Sequence, residues 1–283
     1  MKRIINTSPE NIRRLAQKAR WVWEQTLLIH KTAHETRLAS SLSAIEIFVS
    51  LYYGGFLKFN PKDPLDTHRD RLIASKGHGS IALYPILADL GFFNIEELDS
   101  VSTHGSFLGA IPDPIIPGYE TCNGSLGHGP GVACGMALAL RRKKMKNRVV
   151  VVIGDGELHE GAVWEAIMFA SHHKLSNLLM IIDSNTKCML NYTRKILDIF
   201  PLQQKFKEFG WITEEVCGHD IGALLGKLKS IGKRHSNKPT VLIANTIKGH
   251  GVPTLENDPL CHIRSLSGAE IDKLIKNPNA YNS

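Results

Sequence analysis

The spacing of apolar residues predicts a series of helices along the 283-residue chain. Between residues 11 and 30, apolar side chains recur every three or four positions, which is the period of an amphipathic helix. Gly54 and Gly91 each follow a further helical stretch and mark where it ends. The other predicted helices cover residues 43–53, 81–90, 131–140, 161–175 and 221–231.

Three short apolar runs have the character of buried strands, and they cover residues 149–153, 178–182 and 240–245. Such continuous runs are typical of parallel strands that are covered on both faces. The first two runs enclose a helix and so predict a right-handed βαβ unit. Because strands and helices continue to alternate, the sequence predicts an α/β fold with a doubly wound, mostly parallel sheet. No repeat or composition change marks a boundary, so we expect one domain over residues 1–283.

A long irregular segment is predicted between residues 100 and 128, where Gly, Pro and Ser are frequent. Long loops inside compact domains often carry binding or catalytic residues. We therefore expect this segment to contribute to a functional site.

Composition narrows the class of protein. The N-terminus lacks the apolar segment of a secretory signal, and no apolar run approaches the ~18 residues that span a bilayer. The cysteines are odd in number and scattered without a C-x-x-C pair, which favours reduced thiols over disulfides or a zinc site. They are Cys122, Cys134, Cys188, Cys217 and Cys261. We expect a soluble cytoplasmic protein that does not associate with membranes.

The net charge of +7 raises the question of nucleic-acid binding. Its densest basic run, residues 141–148, lies between a predicted helix and a predicted strand and is best explained as a solvated turn. No nucleic-acid module or basic–aromatic pattern accompanies this run, so nucleic-acid binding is not expected. Positive charge would serve an anionic substrate or cofactor equally well.

Polar residues follow the first two predicted strands directly. Asp155 follows the first strand, Asn185 follows the second, and the helix between these strands brings the two side chains together at one sheet edge. A carboxylate and an amide oxygen are hard ligands, suited to Mg²⁺ or Ca²⁺ and poorly suited to zinc. Gly154 and Gly156 let the backbone approach a ligand closely, and the next helix offers its N-terminus to an anion. The sequence therefore predicts a site for a metal-bridged diphosphate.

The sequence argues against two other phosphate-binding motifs. The sequence contains no G-x-x-x-x-G-K-[ST], which argues against a Walker-type nucleotide site. Residues 127–131 have several glycines but lack both the third glycine and the preceding strand of a dinucleotide-binding loop.

The combination of motifs is more specific than any one of them, and it resembles transketolases, which are thiamine diphosphate (ThDP) enzymes. The resemblance rests on Gly154-Asp155-Gly156-Glu157, Glu160-Gly161, Trp164-Glu165-Ala166 and Asp183-x-Asn185. Further blocks occur in the family's order: Ser75-Lys76-Gly77-His78-Gly79, Gly124-Ser125-Leu126-Gly127-His128-Gly129 and Thr246-Ile247-Lys248-Gly249-His250-Gly251. The chain resembles the N-terminal, diphosphate-binding (PP) domain of a split transketolase.

The resemblance implies a role for particular residues. Asp155, Asn185 and the backbone carbonyl of Lys187 would ligate Mg²⁺ or Ca²⁺. The cofactor-binding residues implied are His78, Gly124, Leu126, Gly154, Asp155, Gly156, Glu157, Asn185, Lys248 and His262. The catalytic residues implied are His78, His262, Glu160 and Glu165, of which the two glutamates would belong to a proton-linked network at a dimer interface. The alternative for the histidines is an ordinary capping or core role, and for the glutamates a favourable charge at a helix N-terminus.

The family also implies a partner. The glutamate that activates ThDP lies in a pyrimidine-binding domain, and this chain ends before such a domain begins. A second, C-terminal transketolase-like subunit would therefore supply it, in an α₂β₂ assembly with sites between subunits. The activity implied is that of a transferase that moves a two-carbon ketol unit from a ketose phosphate to an aldose.

Two residues depart from the family pattern in the expected substrate site. Arg37 stands where transketolases have a histidine, and Ala110 replaces the histidine that helps to hold the donor's terminal hydroxyl. A donor without that hydroxyl, such as pyruvate, would explain both changes, since arginine can bind a carboxylate in a bidentate manner and acetyl transfer would follow decarboxylation. The alternative is that Arg37 and Ala110 only repack a substrate channel that still accepts ketoses. Ketol transfer is the favoured hypothesis; pyruvate-dependent acetyl transfer and a non-catalytic, ThDP-binding regulatory subunit are the other possibilities.

Overall fold

The computed structural model describes residues 5–277 and 280–282. At its centre lies a sheet of five parallel strands in the order β1-β2-β3-β5-β4. The strands are β1 (Arg71–Ala74), β2 (Val149–Gly154), β3 (Leu178–Ser184), β4 (Ile212–Cys217) and β5 (Thr240–Asn245). The predicted α/β class with a parallel sheet is confirmed.

Eleven α-helices surround the sheet within the described residues. The long ones are α1 (Pro9–Thr32), α5 (His128–Arg142), α6 (Gly161–His172) and α9 (Ile221–Lys233). The shorter ones are α2 (Leu38–Leu42), α3 (Ile45–Tyr52), α4 (Leu83–Asp89), α7 (Thr193–Ile196), α8 (Leu202–Glu208), α10 (Pro253–Glu256) and α11 (Gly268–Lys276). Short 3₁₀ helices occupy Gly77–Gly79, Ile95–Ser100, Asp155–His159, Cys261–Ile263 and Ala280–Asn282.

The two faces of the sheet carry separate apolar cores. Along β2, Val150 and Val152 face the core that includes α1, α3 and α9. Val149, Val151 and Ile153 face the opposite core, which includes α5, α6 and α8. Alternate residues of β2 thus point to opposite faces, and all five are fully buried, which explains the uninterrupted apolar run in the sequence.

The sheet is doubly wound, as the sequence predicted. From β1 to β4 the chain moves in one direction across the sheet, and it then returns, because β5 lies between β3 and β4. Helix α9, which connects β4 to β5, accordingly packs on the face opposite to α5, α6 and α8. The direction of winding reverses here, and ligands of open α/β sheets bind beyond the strand ends at such a reversal.

Two strands were not predicted, and both lie at sheet edges. Strand β1 has only four residues and begins with Arg71. Strand β4 has the sequence Ile-Thr-Glu-Glu-Val-Cys, of which only Val216 is buried. Strand β4 pairs on one side only, so polar residues are tolerated there and the continuous apolar pattern of a central strand is missing. In β1 the residues after Arg71 are buried, but three apolar residues are too short a run to indicate a strand. The predicted helix over residues 43–53 is also shorter than expected, since a turn at Ser43 separates α2 from α3.

The predicted irregular segment is confirmed. No helix or strand lies between Ser100 and His128, a stretch that the structure describes completely. Among the described residues, no helix combines the length and the apolar character needed to cross a membrane. All five cysteines are unpaired thiols.

Candidate functional site

The carboxyl ends of the central strands meet at one edge of the sheet. Gly154 at the end of β2 is in register with Asp183 of β3, which in turn is in register with Ala244 of β5. Asp155 and Asn185 follow these strands and therefore both lie just beyond the carboxyl ends of the strands. The structure brings the two predicted metal ligands to the same sheet edge, as the βαβ unit required.

Asp155 is buried at the start of the 3₁₀ turn that follows β2. Its Oδ1 accepts a hydrogen bond from the amide of Gly156 (2.9 Å), and its Oδ2 accepts one from the amide of Thr186 (2.6 Å) and one from Oγ1 of Thr193 (3.2 Å). Burial and the nearby Asp183 carboxylate raise the pKa of Asp155 to about 6, although the ammonium of Lys248 opposes this shift. A cation bound beside Asp155 would offset this penalty.

Asn185 and Lys187 extend the site on the β3 side, and both are buried. The side-chain oxygen of Asn185 accepts a hydrogen bond from the amide of Lys187 (3.2 Å). The carbonyl oxygen of Lys187 accepts one from the ammonium of Lys248 (3.0 Å), so it already holds a positive group. A carboxylate, an amide oxygen and a carbonyl oxygen form the hard donor set that Mg²⁺ or Ca²⁺ prefers. The residues fit the implied metal.

Lys248 connects this donor set to two imidazoles. Its Nζ lies 3.1 Å from Nδ1 of His262, whose ring centroid is 4.9 Å from that of His78. Burial lowers the pKa of Lys248 to about 8, and the neighbouring Lys76 adds to this effect. Burial and the ammonium of Lys248 lower the pKa of His262 to about 3. Burial and the charge of Lys76 likewise hold the pKa of His78 well below its usual value, so both imidazoles are neutral at pH 7.

Beneath these groups lies a polar cluster that the sequence analysis did not assign. Lys76 forms an ion pair with Asp183, and its Nζ also donates to the carbonyl oxygen of Ser40 (2.8 Å). Asp183 accepts further hydrogen bonds from Ser43 Oγ (2.6 Å) and from the hydroxyl of Thr246. Lys76 lies inside the Ser75–Gly79 motif, and Asp183 lies two residues before Asn185. The sequence did contain one signal for this ion pair, since Lys76 lies within a motif that was otherwise assigned to ligand binding.

Glu157, predicted to bind cofactor, contacts protein groups in the structure. Its buried carboxyl group accepts hydrogen bonds from the hydroxyl of Ser75, the amide of Gly127 (2.9 Å) and the amide of Gly154 (3.4 Å). Burial raises the pKa of Glu157, and these hydrogen bonds oppose the rise. The residue thus ties together the three segments around the site, and its contact with a cofactor stays a prediction.

The other predicted cofactor contacts lie around this edge. Gly124 is exposed and Leu126 is half-buried, both in the segment that leads into α5. Gly156 is constrained by a neighbour, since a Cβ placed there would be 3.1 Å from the Cβ of Cys188. A larger residue at position 156 would therefore crowd Cys188 next to the predicted metal ligand Lys187.

Glu160 and Glu165 are not brought to this cluster. Glu160 is the N-cap residue of α6, without a side-chain capping hydrogen bond, and Glu165 lies within the helix; both are exposed. Val132 of α5 and Met168 and Phe169 of α6 are apolar residues that are also exposed, and these two helices pack against each other. Their predicted place at an interface between subunits stays a prediction.

Arg37 and Ala110 are the two departures from the family pattern. Arg37 lies near the two imidazoles, and Ala110 lies in the irregular segment. Arg37 directly precedes α2 and is exposed, and its charge lowers the pKa of both His78 and His262. Within the described part of the chain its guanidinium has no ion-pair partner. Ala110 is half-buried, next to Gly109, whose carbonyl oxygen accepts a hydrogen bond from the Tyr84 hydroxyl (2.7 Å). Arg37 therefore offers a free positive charge beside His78 and His262.

Comparisons with known proteins agree with this geometry. The family model for the transketolase thiamine diphosphate binding domain matches residues 29–280. The 6-deoxy-6-sulfo-D-fructose transketolase subunit SqwG of Clostridium sp. (strain MSTE9) is 37% identical over 231 residues, which are 81% of this chain and 83% of that protein. One subunit of the apulose-4-phosphate transketolase of Actinobacillus succinogenes is 38% identical over 234 residues, which are 82% of this chain and 84% of that protein.

Solved structures give the same result. A transketolase from Pichia stipitis in complex with xylulose 5-phosphate superposes with a TM-score of 0.84 at 26% identity, covering 93% of this chain. This chain spans only 40% of the length of that transketolase.

Proposed function

Because the chain belongs to the transketolase thiamine diphosphate-binding domain family, we propose that it is the diphosphate-binding subunit of a split transketolase. The reaction is the transfer of a two-carbon ketol unit from a ketose phosphate to an aldose. The observation that carries the proposal is the convergence of Asp155, Asn185 and the Lys187 carbonyl with Lys248 at one sheet edge. Two relatives of matching length bear the names of transketolase subunits, which supports the split organisation.

The residues at the sheet edge would hold the cofactor through its metal and its diphosphate. The side chains of Asp155 and Asn185 and the carbonyl of Lys187 would ligate Mg²⁺. The Gly156 backbone, His78 and Lys248 would contact the diphosphate oxygens, while Gly154 would leave room for them and Gly124 and Leu126 would lie against the aminopyrimidine. ThDP supplies, when bound, the carbon nucleophile and the electron sink of the reaction.

The protein's own contribution is to bind, orient and exchange protons. The ammonium of Lys248 donates toward Nδ1 of His262, so this nitrogen is an acceptor and the ring proton resides on Nε2. A neutral imidazole with Nε2–H can donate a hydrogen bond to a carbonyl or hydroxyl oxygen of the substrate. Since the pKa of His262 is about 3, this state persists over the physiological pH range. His78, also neutral, would share this task.

The assembly would be an α₂β₂ heterotetramer in which the chain forms one domain and a partner supplies the pyrimidine-binding domain. Two features support contact between copies of this chain. Val132, Met168 and Phe169 are exposed apolar residues on α5 and α6, two helices that pack against each other. Glu160 and Glu165 are also exposed, at the start of α6 and within it, and would approach their counterparts in a second copy.

A second candidate reaction rests on Arg37. Its exposed guanidinium is close enough to His78 and His262 to lower the pKa of both, and Ala110 offers no hydrogen bond to a donor's terminal hydroxyl. Such a site would accept a 2-oxo acid such as pyruvate, with carbon dioxide as the by-product and acetyl transfer to a sugar or aldehyde.

Assays of the chain combined with its pyrimidine-domain subunit separate these functions. We expect ketol transfer from ketose phosphates in the presence of ThDP and Mg²⁺. Carbon dioxide release from pyruvate, without turnover of ketose phosphates, would establish the second reaction instead. Unchanged activity in the Asp155→Ala variant would show that this chain has a non-catalytic role.

A further inference from the structure

His219 connects two parts of the structure that lie beside the cofactor site. The residue follows β4 and is half-buried. Its Nδ1 lies 3.0 Å from Oε2 of Glu46, a buried residue of α3. Its Nε2 accepts a hydrogen bond from the amide of Ile247, in the loop after β5, at 2.8 Å. One imidazole thus joins a helix on one face of the sheet to the 246–251 loop.

These contacts fix the protonation of His219. A backbone amide can only donate, so Nε2 carries no proton and the ring proton lies on Nδ1, which donates it to Glu46. The other carboxyl oxygen of Glu46 accepts a hydrogen bond from the hydroxyl of Tyr281. Glu46 therefore receives donors on both oxygens, and neither it nor His219 is free to turn away without leaving a buried group unpaired.

The same three residue types would also suggest a metal site. Glu46, His219 and His250 offer ligand atoms within 4.8 Å of one another. However, both ring nitrogens of His219 are engaged, and a metal at either one would displace the Ile247 amide or the Glu46 carboxyl group. His250 instead stacks on His219, with ring centroids 3.7 Å apart. The arrangement is an anchor for the loop that carries His250.

The anchored loop carries Lys248. Besides the amide of Ile247, the amide of Gly249 donates to the carbonyl oxygen of Ala39 (2.9 Å), and that of Gly251 donates to Oε1 of Glu256 (2.7 Å). Lys248 projects from between the first two of these anchors to the carbonyl oxygen of Lys187. Its position relative to the metal ligands therefore depends on contacts made by its neighbours in the loop.

We infer that Glu46 and His219 form a positioning pair, which holds the 246–251 loop so that Lys248 reaches the metal–diphosphate site. Neither residue touches the site itself. The inference rests on the cofactor site proposed above, and it adds to that site two residues that act through the amide of Ile247. Supporting residues of this kind typically change metal or cofactor affinity by about 10- to 100-fold when they are removed.

The first test asks whether the anchor exists. Hydrogen–deuterium exchange of the full chain, without cofactor, should show faster exchange of the Ile247 amide in the His219→Ala variant than in the wild type. His219→Gln retains an acceptor near the position of Nε2, so it should restore most of the protection. The control is His235→Ala, which removes an exposed histidine in the segment before β5, at the amino ends of the strands. Unchanged exchange at Ile247 in His219→Ala would overturn the inference.

The second test asks whether the anchor acts through Lys248. We expect His219→Ala to weaken ThDP binding in the presence of Mg²⁺ by about tenfold, measured by calorimetry on the chain with its partner subunit. In a Lys248→Met background the same change should have little further effect, because the loop then has no ammonium to position. Independent, multiplicative losses in the double variant would contradict the inference.

The two proposals fail in different ways. If the wild-type complex takes up no ThDP with Mg²⁺, the proposed function is wrong, whereas the exchange experiment still tests the anchor. If the wild type binds and His219→Ala binds equally well, only the positioning pair is wrong. Should His219→Ala not fold, Glu46→Gln provides the same comparison, since its amide cannot accept both hydrogen bonds that the carboxyl group now accepts.

Discussion

Lys76 and Asp183 form an ion pair that is almost completely withdrawn from solvent, with 3% and 0% of their side chains exposed. The pair joins the Ser75–Gly79 motif to the end of β3, two residues before Asn185. Burial alone would raise the pKa of Asp183, but the charge of Lys76 and hydrogen bonds from Lys76, Ser43 and Thr246 together lower it. The pair therefore holds together the two segments that lie next to the predicted metal ligands, and its loss should lower the stability of the whole protein.

We predict that Lys76→Met lowers the free energy of unfolding by about 3–5 kcal/mol, because it leaves the Asp183 carboxylate buried without a cation. Urea unfolding followed by circular dichroism measures the change. The loss should be smaller at acidic pH, where Asp183 of the variant can take up a proton. The double variant Lys76→Met, Asp183→Asn should recover part of the stability; a single variant as stable as the wild type would refute the role of the pair.

His30 should make the stability depend on pH. It is buried, with Nδ1 2.7 Å from Oγ1 of Thr36 and Nε2 3.0 Å from Oγ of Ser265. The Thr36 hydroxyl donates to the carbonyl of Ala33, so its oxygen accepts from His30. Burial and the nearby His34 lower the pKa of His30 to about 4, from an ordinary value of 6.5.

The direction of this pH dependence follows from the two pKa values of His30. The unfolded chain takes up the proton near pH 6.5, whereas the folded protein takes it up only near pH 4. The contribution of His30 to stability is thus fully present above pH 6.5 and declines as the pH falls to about 4. We predict that the difference in unfolding free energy between the wild type and His30→Gln narrows between pH 7 and pH 5. The comparison with this variant removes the effects of the other histidines, and a constant difference would contradict the prediction.

Ala110 should limit the use of ketose donors. A histidine at this position would supply the hydrogen bond that the family uses for the donor's terminal hydroxyl. We predict that Ala110→His raises kcat/KM for a ketose phosphate about tenfold, the effect of a hydrogen bond of about 1.4 kcal/mol. Ala110→Leu is the matched control, because it adds bulk without a hydrogen bond. An equal effect of both substitutions would mean that position 110 acts through its volume alone.

The sequence predicted the central part of the fold and the family well, because these depend on local signals. Strands β2 and β3 are buried on both faces, so their residues form uninterrupted apolar runs. Asp155 and Asn185 could be placed together because parallel strand ends share a sheet edge. The edge strands gave no such signal, because β1 has only three apolar residues after Arg71 and because β4 carries polar residues that face solvent.

Contacts between distant segments could not be predicted from one sequence. His219 and Glu46 are 173 residues apart, and Lys76 and Asp183 are 107 residues apart. In the sequence His219 is an ordinary polar residue after an edge strand, and only the packing of α3 against the end of the sheet reveals its partners. Glu157 likewise belongs to a recognisable motif, but the motif does not show which neighbouring segments its three hydrogen bonds reach.

The central claim is that Asp155 and Asn185 ligate the metal of a metal–diphosphate group. Calorimetric titration of ThDP tests this claim most directly. The titration uses the chain with its partner subunit, with and without Mg²⁺. We predict that the wild type and Asp198→Ala, which removes an exposed carboxylate that pairs with Arg194, bind ThDP only when Mg²⁺ is present. Asp155→Ala should lose this binding. Magnesium-independent uptake by the wild type, or full uptake by Asp155→Ala, would contradict the account.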